Sequence, residues 1–210
     1  MFVKSMMKPA HKTLVTNGDA TLGEVLDRLN EKDFQGMPVI EDGKFLGLIS
    51  RQMIYQAFFK SDLDRDTFLK EKKVQEFYGQ SDLYITEDDV FEHTLTAFKG
   101  FPIIAVIDKD KKFLGIVSRY DVIEQFESAF GMKRAGVRIA FTSEESEGRI
   151  LRLSEIVKQY HENIISLATF DETDKLARRI VLKIEKKNNI DRFVNRLEKA
   201  GFRILDVKEG

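Results

Sequence analysis

The chemistry open to this chain is narrow. None of its 210 residues is Cys, which excludes thiol nucleophiles, Cys-ligated zinc, iron–sulfur clusters and a disulfide scaffold. His11, His93 and His161 stand far apart, with no i,i+4 pair and no H-E-x-x-H pattern, so no metal site is expected. Glu144, Glu145 and Glu147 lack EF-hand spacing and read as a solvated acidic loop. No Walker A, G-x-G-x-x-G or G-x-S-x-G motif occurs. A Ser and an Asp three residues apart, Ser118 and Asp121, stand at the start of a helix-periodic run. A helix N-terminus offers unpaired N–H groups and the positive end of its dipole to a phosphate, and a carboxylate one turn in can accept two hydroxyl protons. Taken singly, Ser118 is also an ordinary N-cap and Asp121 an ordinary first-turn acid. Their conjunction with Gly115 inside a matched repeat favours a site.

That repeat organises the first 130 or so residues. Gly36-Met37-Pro38-Val39-Ile40 returns as Gly100-Phe101-Pro102-Ile103-Ile104, an offset of 64. Phe45-Leu46-Gly47-Leu48-Ile49-Ser50-Arg51 returns as Phe113-Leu114-Gly115-Ile116-Val117-Ser118-Arg119, an offset of 68. Upstream, Val15-Thr16 and Asp19 align with Ile85-Thr86 and Asp89 at an offset of 70, and Val3 to Met7 aligns loosely with Val74 to Tyr78. The drift places a deletion in the second copy's first helix and an insertion in its hairpin turn.

Each copy reads as β-α-β-β-α. Leu22, Val25, Leu26 and Leu29 share one helical face. Val39-Ile40 and Phe45 to Ile49 are short strands joined across Asp42-Gly43, a strong hairpin signal. Ser50 is a plausible N-cap for a helix carrying Met53, Ile54, Ala57 and Phe58; Ser118 stands likewise before Val122, Ile123, Phe126 and Phe130. The charged, helix-prone segment from Lys60 to Lys73 links the copies.

Two tandem copies of G-h-P-[VI] followed by F-L-G-[LI]-[IV]-S-R resemble cystathionine-β-synthase (CBS) domains paired as a Bateman module. The resemblance implies two sheets packed about a pseudo-twofold axis, with clefts that bind adenosine-containing ligands: AMP, ADP, ATP, NAD or S-adenosylmethionine. In that family's motif, G-h-x-[ST]-x-x-D, the Asp holds the ribose hydroxyls and the Ser or Thr lies near the phosphates. Gly115, Ser118 and Asp121 match it. The first copy has Gly47 and Ser50 but Met53 where the acid belongs, and a thioether is too weak an acceptor for a diol, so one adenosine site per chain is expected. The resemblance further implies that the base stacks among Tyr84, Ile85, Phe101, Pro102 and Ile103, beside Gly100, and that Arg119 and Arg51 meet the phosphates. Equally, Ile85, Phe101 and Ile103 could be core. The shortened first helix of copy two is expected to bear on this site, either widening or collapsing the cleft.

Lys133-Arg134-Ala135-Gly136 marks a composition break. Beyond it come a strand from Val137 to Phe141, a helical stripe of Ile150, Leu153, Ile156, Val157 and Tyr160, and strands from Ile164 to Phe170 and Ala177 to Ile184 across a polar turn, Asp171 to Asp174. A second stripe, Ile190, Phe193, Val194 and Leu197, ends at Gly201 before a last strand from Phe202 to Val207. The order β-α-β-β-α-β is ferredoxin-like. Glu147-Gly148-Arg149-Ile150 and Asn163-Ile164 are similar to an ACT domain, whose glycine loop binds a small regulator; that family's loop is often Pro-Gly, and here Glu147 precedes the glycine. The whole order resembles the acetoin-utilisation, AcuB-type proteins. The expected class is α+β, with CBS units at 1–72 and 73–132 and an ACT-like domain at 137–210.

Thirty-four basic against 35 acidic residues give a net charge of −1, so neither nucleic acid nor an anionic membrane is expected as a partner. The start lacks the apolar core of a signal peptide and no run approaches a membrane span, which points to the cytoplasm. The expectation is a non-enzymatic, homodimeric regulator that senses an adenosine-type ligand, with a regulated enzyme as possible partner. The alternative is a constitutive interaction module whose nucleotide site has decayed.

Overall fold

The computed structural model describes residues 2–144, 146–172 and 177–210, so Glu145 and the second half of the expected polar turn, Thr173 and Asp174, lie outside the described residues. The chain forms two compact units, 1–123 and 124–210.

The first unit begins with β1 (Lys8–Pro9) and α1 (Leu22–Glu31). The Thr21 hydroxyl accepts the Glu24 N–H at 3.2 Å and the Glu24 carboxylate accepts the Thr21 N–H at 2.9 Å, a reciprocal cap that fixes where α1 starts. Leu22, Val25, Leu26 and Leu29 are all buried, as their spacing requires. β2 (Gly36–Glu41) and β3 (Lys44–Ser50) pair antiparallel across Asp42-Gly43, whose φ angles of 48° and 76° make the turn that suits twisted strands. Ser50 caps α2 (Arg51–Phe58), its hydroxyl accepting the Met53 N–H at 3.2 Å. α3 (Arg65–Glu71) occupies the linking segment, capped by Asp64. In the second copy come β4 (Tyr84–Thr86), a 3₁₀ turn (Phe91–His93) running into the single-turn α4 (Thr94–Ala97), β5 (Ile103–Ile107), β6 (Phe113–Ser118) and α5 (Arg119–Ala129). The deletion read from the offsets is thus the contrast between the ten residues of α1 and the four of α4.

The two copies exchange their leading segments. β1 pairs with β6, Lys8 opposite Ile116 and Pro9 opposite Gly115, so the start of copy one completes the sheet β1-β6-β5-β4 of copy two. Reciprocally, Gly79 ahead of copy two bonds Leu48 of β3 in both directions, at 2.7 and 3.0 Å. This explains the glycine in both F-L-G runs. A Cβ at Gly115 would stand 2.2 Å from the Lys8 carbonyl oxygen, and one at Gly47 would stand 2.4 Å from that of Gly79. The exchange also builds a shared core, in which Phe45 and Leu48 of copy one pack with Leu83, Phe101, Ile103, Ala105, Ile107 and Phe113 of copy two.

The second unit holds the last turns of α5 and then β7 (Val137–Glu144), α6 (Arg149–Gln159), β8 (Ile164–Glu172), β9 (Ala177–Ile184), α7 (Ile190–Lys199) and β10 (Arg203–Glu209). The strand order β10-β7-β9-β8 is the ferredoxin-like one. Val137, Ile139, Phe141, Ile180, Leu182 and Ile184 point inward against Leu153, Ile156, Phe193 and Leu197 of the two helices. The first strand runs three residues past the expected Phe141, and Ile150 leaves its stripe to stand half-exposed. The end of α5 is packed within this unit: the Phe130 ring stacks with Phe126 on one side and Phe170 of β8 on the other, each at 6.3 Å.

Candidate functional site

A cavity of about 440 Å³ opens at the N-terminus of α5. One side is copy two: Pro102 and Ile103 where β5 begins, Ile116 and Ser118 of β6, and Arg119, Tyr120 and Asp121 of α5. The other side is copy one: Lys8 of β1, Leu14, Asp33, Phe34 and Gln35 between α1 and β2, and Gly36 where β2 begins.

Asp121 and Ser118 form a closed box. One carboxylate oxygen, Oδ2, accepts the Ser118 N–H and the Ser118 hydroxyl, each at 2.7 Å. The same hydroxyl accepts the Asp121 N–H at 3.1 Å. These bonds fix the carboxylate rotamer before any ligand arrives and leave Oδ1 without a hydrogen bond among the described residues. One carboxylate oxygen has two lone-pair directions, so Oδ1 can still accept from two vicinal hydroxyls. Apolar surface from Leu14, Phe34, Pro102, Ile103 and Ile116 suits a flat ring. Two cations stand in the lining: the Arg119 guanidinium lies 5.6 Å over the Phe98 ring and the Lys8 ammonium 5.2 Å over the Phe34 ring.

Five of the residues expected at the site line this cavity: Pro102, Ile103, Ser118, Arg119 and Asp121. The other five do not. Tyr84 meets Phe45 of the shared core edge-on at 6.4 Å, and Ile85, the next residue of β4, is buried on the opposite face of the sheet. Phe101 belongs to that core. Gly100, at φ 86°, makes the turn that follows α4. Arg51 is turned to its own copy: Nη2 donates to the Leu29 carbonyl at 2.6 Å and to Asp33 at 3.3 Å, while the backbone N–H donates to the Gln35 carbonyl at 3.0 Å. It buttresses the 33–36 segment from behind. The shortened first helix of copy two contributes no lining residue either; the wall facing Asp121 belongs to copy one. Lys8, Leu14 and Phe34 also line the cavity, and the sequence motifs do not point to them. The aligned leading segments were the one signal for Lys8, since segments that repeat outside the paired strands have to be placed somewhere. In copy one, Met53 takes the position of the acid and packs against the shared core.

The glycine loop of the second unit is a second candidate. Gly148 adopts φ 78° ahead of α6, and a cavity of about 580 Å³ lies beside it, lined among others by Glu144, Glu147, Ile150 and Arg178. Arg149 is committed to packing: its guanidinium donates to the Ser143 hydroxyl at 2.6 Å and the Gly201 carbonyl at 2.8 Å, and lies 4.4 Å over the Phe202 ring. Among the described residues no cluster of three potential metal ligands occurs, and no helix is long and apolar enough to cross a membrane.

Comparison with known proteins identifies the domains. Residues 3–60 and 75–128 match the CBS domain, together just over half the chain, and residues 135–208 match the TTHA0829-like ACT domain. An uncharacterised protein of Methanocaldococcus jannaschii is 27% identical over 126 residues, 59% of this chain and 44% of that one, so the match spans less than half of that relative's length. Among solved structures, CBSX2 in complex with AMP, a CBS-pair protein of Arabidopsis thaliana, is 26% identical with a TM-score of 0.52, over 63% of this chain and 98% of that one. The CbpB protein of Listeria monocytogenes in complex with c-di-AMP is 25% identical with a TM-score of 0.52, over 60% and 94%. The two copies that exchange strands around Asp121 are CBS domains, and the chain belongs to the CBS-domain proteins, with an ACT domain following the pair.

Proposed function

We propose that the protein is a regulatory sensor that binds an adenosine-containing nucleotide in the cavity at Asp121. The observation that carries this is the Asp121 carboxylate, held by Ser118 with one oxygen spare, at a helix N-terminus inside a cavity of about 440 Å³. The ribose hydroxyls donate to Oδ1, the base lies against Phe34 and Ile103, and the phosphates face the start of α5 with Arg119 and Lys8 as their cations. AMP and c-di-AMP in the two similar CBS-pair structures support an adenine ligand; ADP, ATP, NAD and S-adenosylmethionine share the same ribose chemistry. In this reading 1–72 and 73–132 are the halves of the sensor, and 137–210 serves dimerisation or the sensing of a small metabolite. The protein acts without catalysis, as a cytoplasmic homodimer that passes ligand occupancy to a partner enzyme. Calorimetric titration with this set of nucleotides tests it. Hydrogen bonds to a charged group contribute about 1.5–3 kcal/mol, so Asp121→Ala should weaken binding roughly 10- to 150-fold. Unchanged affinity in that variant removes the assignment.

Met53 favours a second reading, in which the nucleotide site has decayed and the pair is a constitutive interaction module. A ligand at 100 times its dissociation constant stabilises by about 2.7 kcal/mol. A thermal-shift screen in which no adenine nucleotide stabilises the protein therefore selects the second reading.

A further inference from the structure

The outer face of the 124–210 sheet carries an unbalanced row of cations. Strand register places Lys208 of β10 opposite Arg138 of β7, Arg138 opposite Lys183 of β9, and Lys183 opposite Ser166 of β8. Like charges set directly opposite one another weaken a sheet. One carboxylate answers them: Asp206 lies 3.2 Å from Arg138 and 3.5 Å from Lys208. Lys183 has no carboxylate partner among the described residues. Its ammonium donates to the Gly131 carbonyl at 3.0 Å, and the residue is only 9% exposed. Glu209, nearby on β10, is paired with Lys186. The Ser166 hydroxyl is held by the Phe130 carbonyl at 3.0 Å. A cavity of about 410 Å³ opens over the row, lined by Arg138, Lys183 and Lys208 with Phe130 and Met132, and closed at one edge by Glu209 and Gly210. An ammonium withdrawn from water without a counter-charge is costly unless an anion joins it.

We propose that this row binds a small doubly charged anion, a phosphate monoester or a dicarboxylate, whose charges lie between Lys183 and Arg138 and whose carbon skeleton rests on Phe130 and Met132. With Asp206 set against Arg138, Lys183 and Lys208, and Glu209 of the lining set against Lys186, two positive side-chain charges are left to be matched, which sets the charge of the ligand. The inference is independent of the nucleotide reading, since none of these residues lines the cavity at Asp121.

The experiment is calorimetric titration of the full chain at constant ionic strength with inorganic phosphate, with succinate, and with acetate as the singly charged control. Saturable binding of phosphate or succinate is expected, with acetate about tenfold weaker or more; which dianion binds identifies its class. Lys183→Met should weaken binding roughly tenfold or more. Arg138→Gln, at a half-exposed side chain, should do the same and serves if the first variant does not fold. Asp206→Asn removes the competing carboxylate and should strengthen binding, by roughly twofold or more. Asp121→Ala should leave the titration unchanged. Binding no tighter for the dianions than for acetate, dianion affinity unaffected by Arg138→Gln, or loss of it in Asp121→Ala would each overturn the proposal.

Discussion

Arg51 and Arg119 hold equivalent places in the two copies, and the repeat suggests equal roles for them. The exchange of leading segments makes the environments differ. Arg119 lines the cavity at Asp121; Arg51 stands behind the copy-one wall of that same cavity, tied to the Leu29 and Gln35 carbonyls. Asp33, its ionic partner, has a 92% exposed side chain, so that pair contributes little; the backbone bond to Gln35 survives any substitution, and the shielded guanidinium bond goes to the Leu29 carbonyl, which also accepts the Phe34 N–H at 2.9 Å. Arg51→Ala is therefore expected to weaken nucleotide binding at Asp121 by about tenfold without touching the ligand, through loss of a charged hydrogen bond that positions Phe34. Asp33→Asn should change it little, and Arg51→Lys should restore part of it. Titration of the three variants with one nucleotide checks the order; equal affinity in all three would show that Arg51 does not position the wall. Ser118 and Asp121 were readable in the sequence because their chemistry is local, three residues apart on one helix start. Lys8 and Phe34 were not, because they reach the site from another copy, and hydrophobic periodicity carries no information about which copy an exchanged segment joins.

At the scale of elements, the β-α-β-β-α and β-α-β-β-α-β orders followed from periodicity and turn residues. Boundaries slipped where tertiary contacts overrode local signals. β7 continues to Glu144 because β9 pairs with it residue for residue as far as Ala177. The glycines of the two F-L-G runs show the same limit: the sequence displays their repetition, and only the crossing of β1 over Gly115 and of Gly79 over Gly47 gives the cause. Gly115→Ala forces a methyl against the Lys8 carbonyl, which lies on backbone and cannot rotate away. A loss of about 1–3 kcal/mol or more is expected. Gly43→Ala meets no atom within 4 Å and bears only the backbone cost of its positive φ, about 1 kcal/mol. Urea unfolding of both variants compares the two costs. A Gly115→Ala protein as stable as Gly43→Ala would mean that β1 is not held against β6.

For the whole molecule, a net charge near zero hides an uneven distribution of pH sensitivity. Among the described residues four carboxylates are held below their ordinary range, and all lie in 1–123. The Thr67 side chain lowers Asp64, the Lys73 N–H lowers Glu76, and the Lys99 ammonium lowers Asp82. The Thr86 N–H lowers Asp89, whose Oδ2 also accepts the Thr86 hydroxyl at 2.9 Å. A carboxyl group with a depressed folded pKa adds stability that is fully present above its unfolded pKa, near 4, and is lost as the pH falls through the folded value. The CBS pair should therefore lose part of its stability as the pH falls below about 4. Asp64 and Asp82 are fully exposed and screened, so Asp89 is the group to test. Asp89→Asn keeps an acceptor oxygen for the Thr86 N–H and cannot titrate. Urea unfolding at pH 7 and pH 3 should show a smaller stability difference in that variant than in the unaltered protein. An identical difference would mean that Asp89 titrates alike in the folded and unfolded chain, and that the acid sensitivity of this unit arises elsewhere.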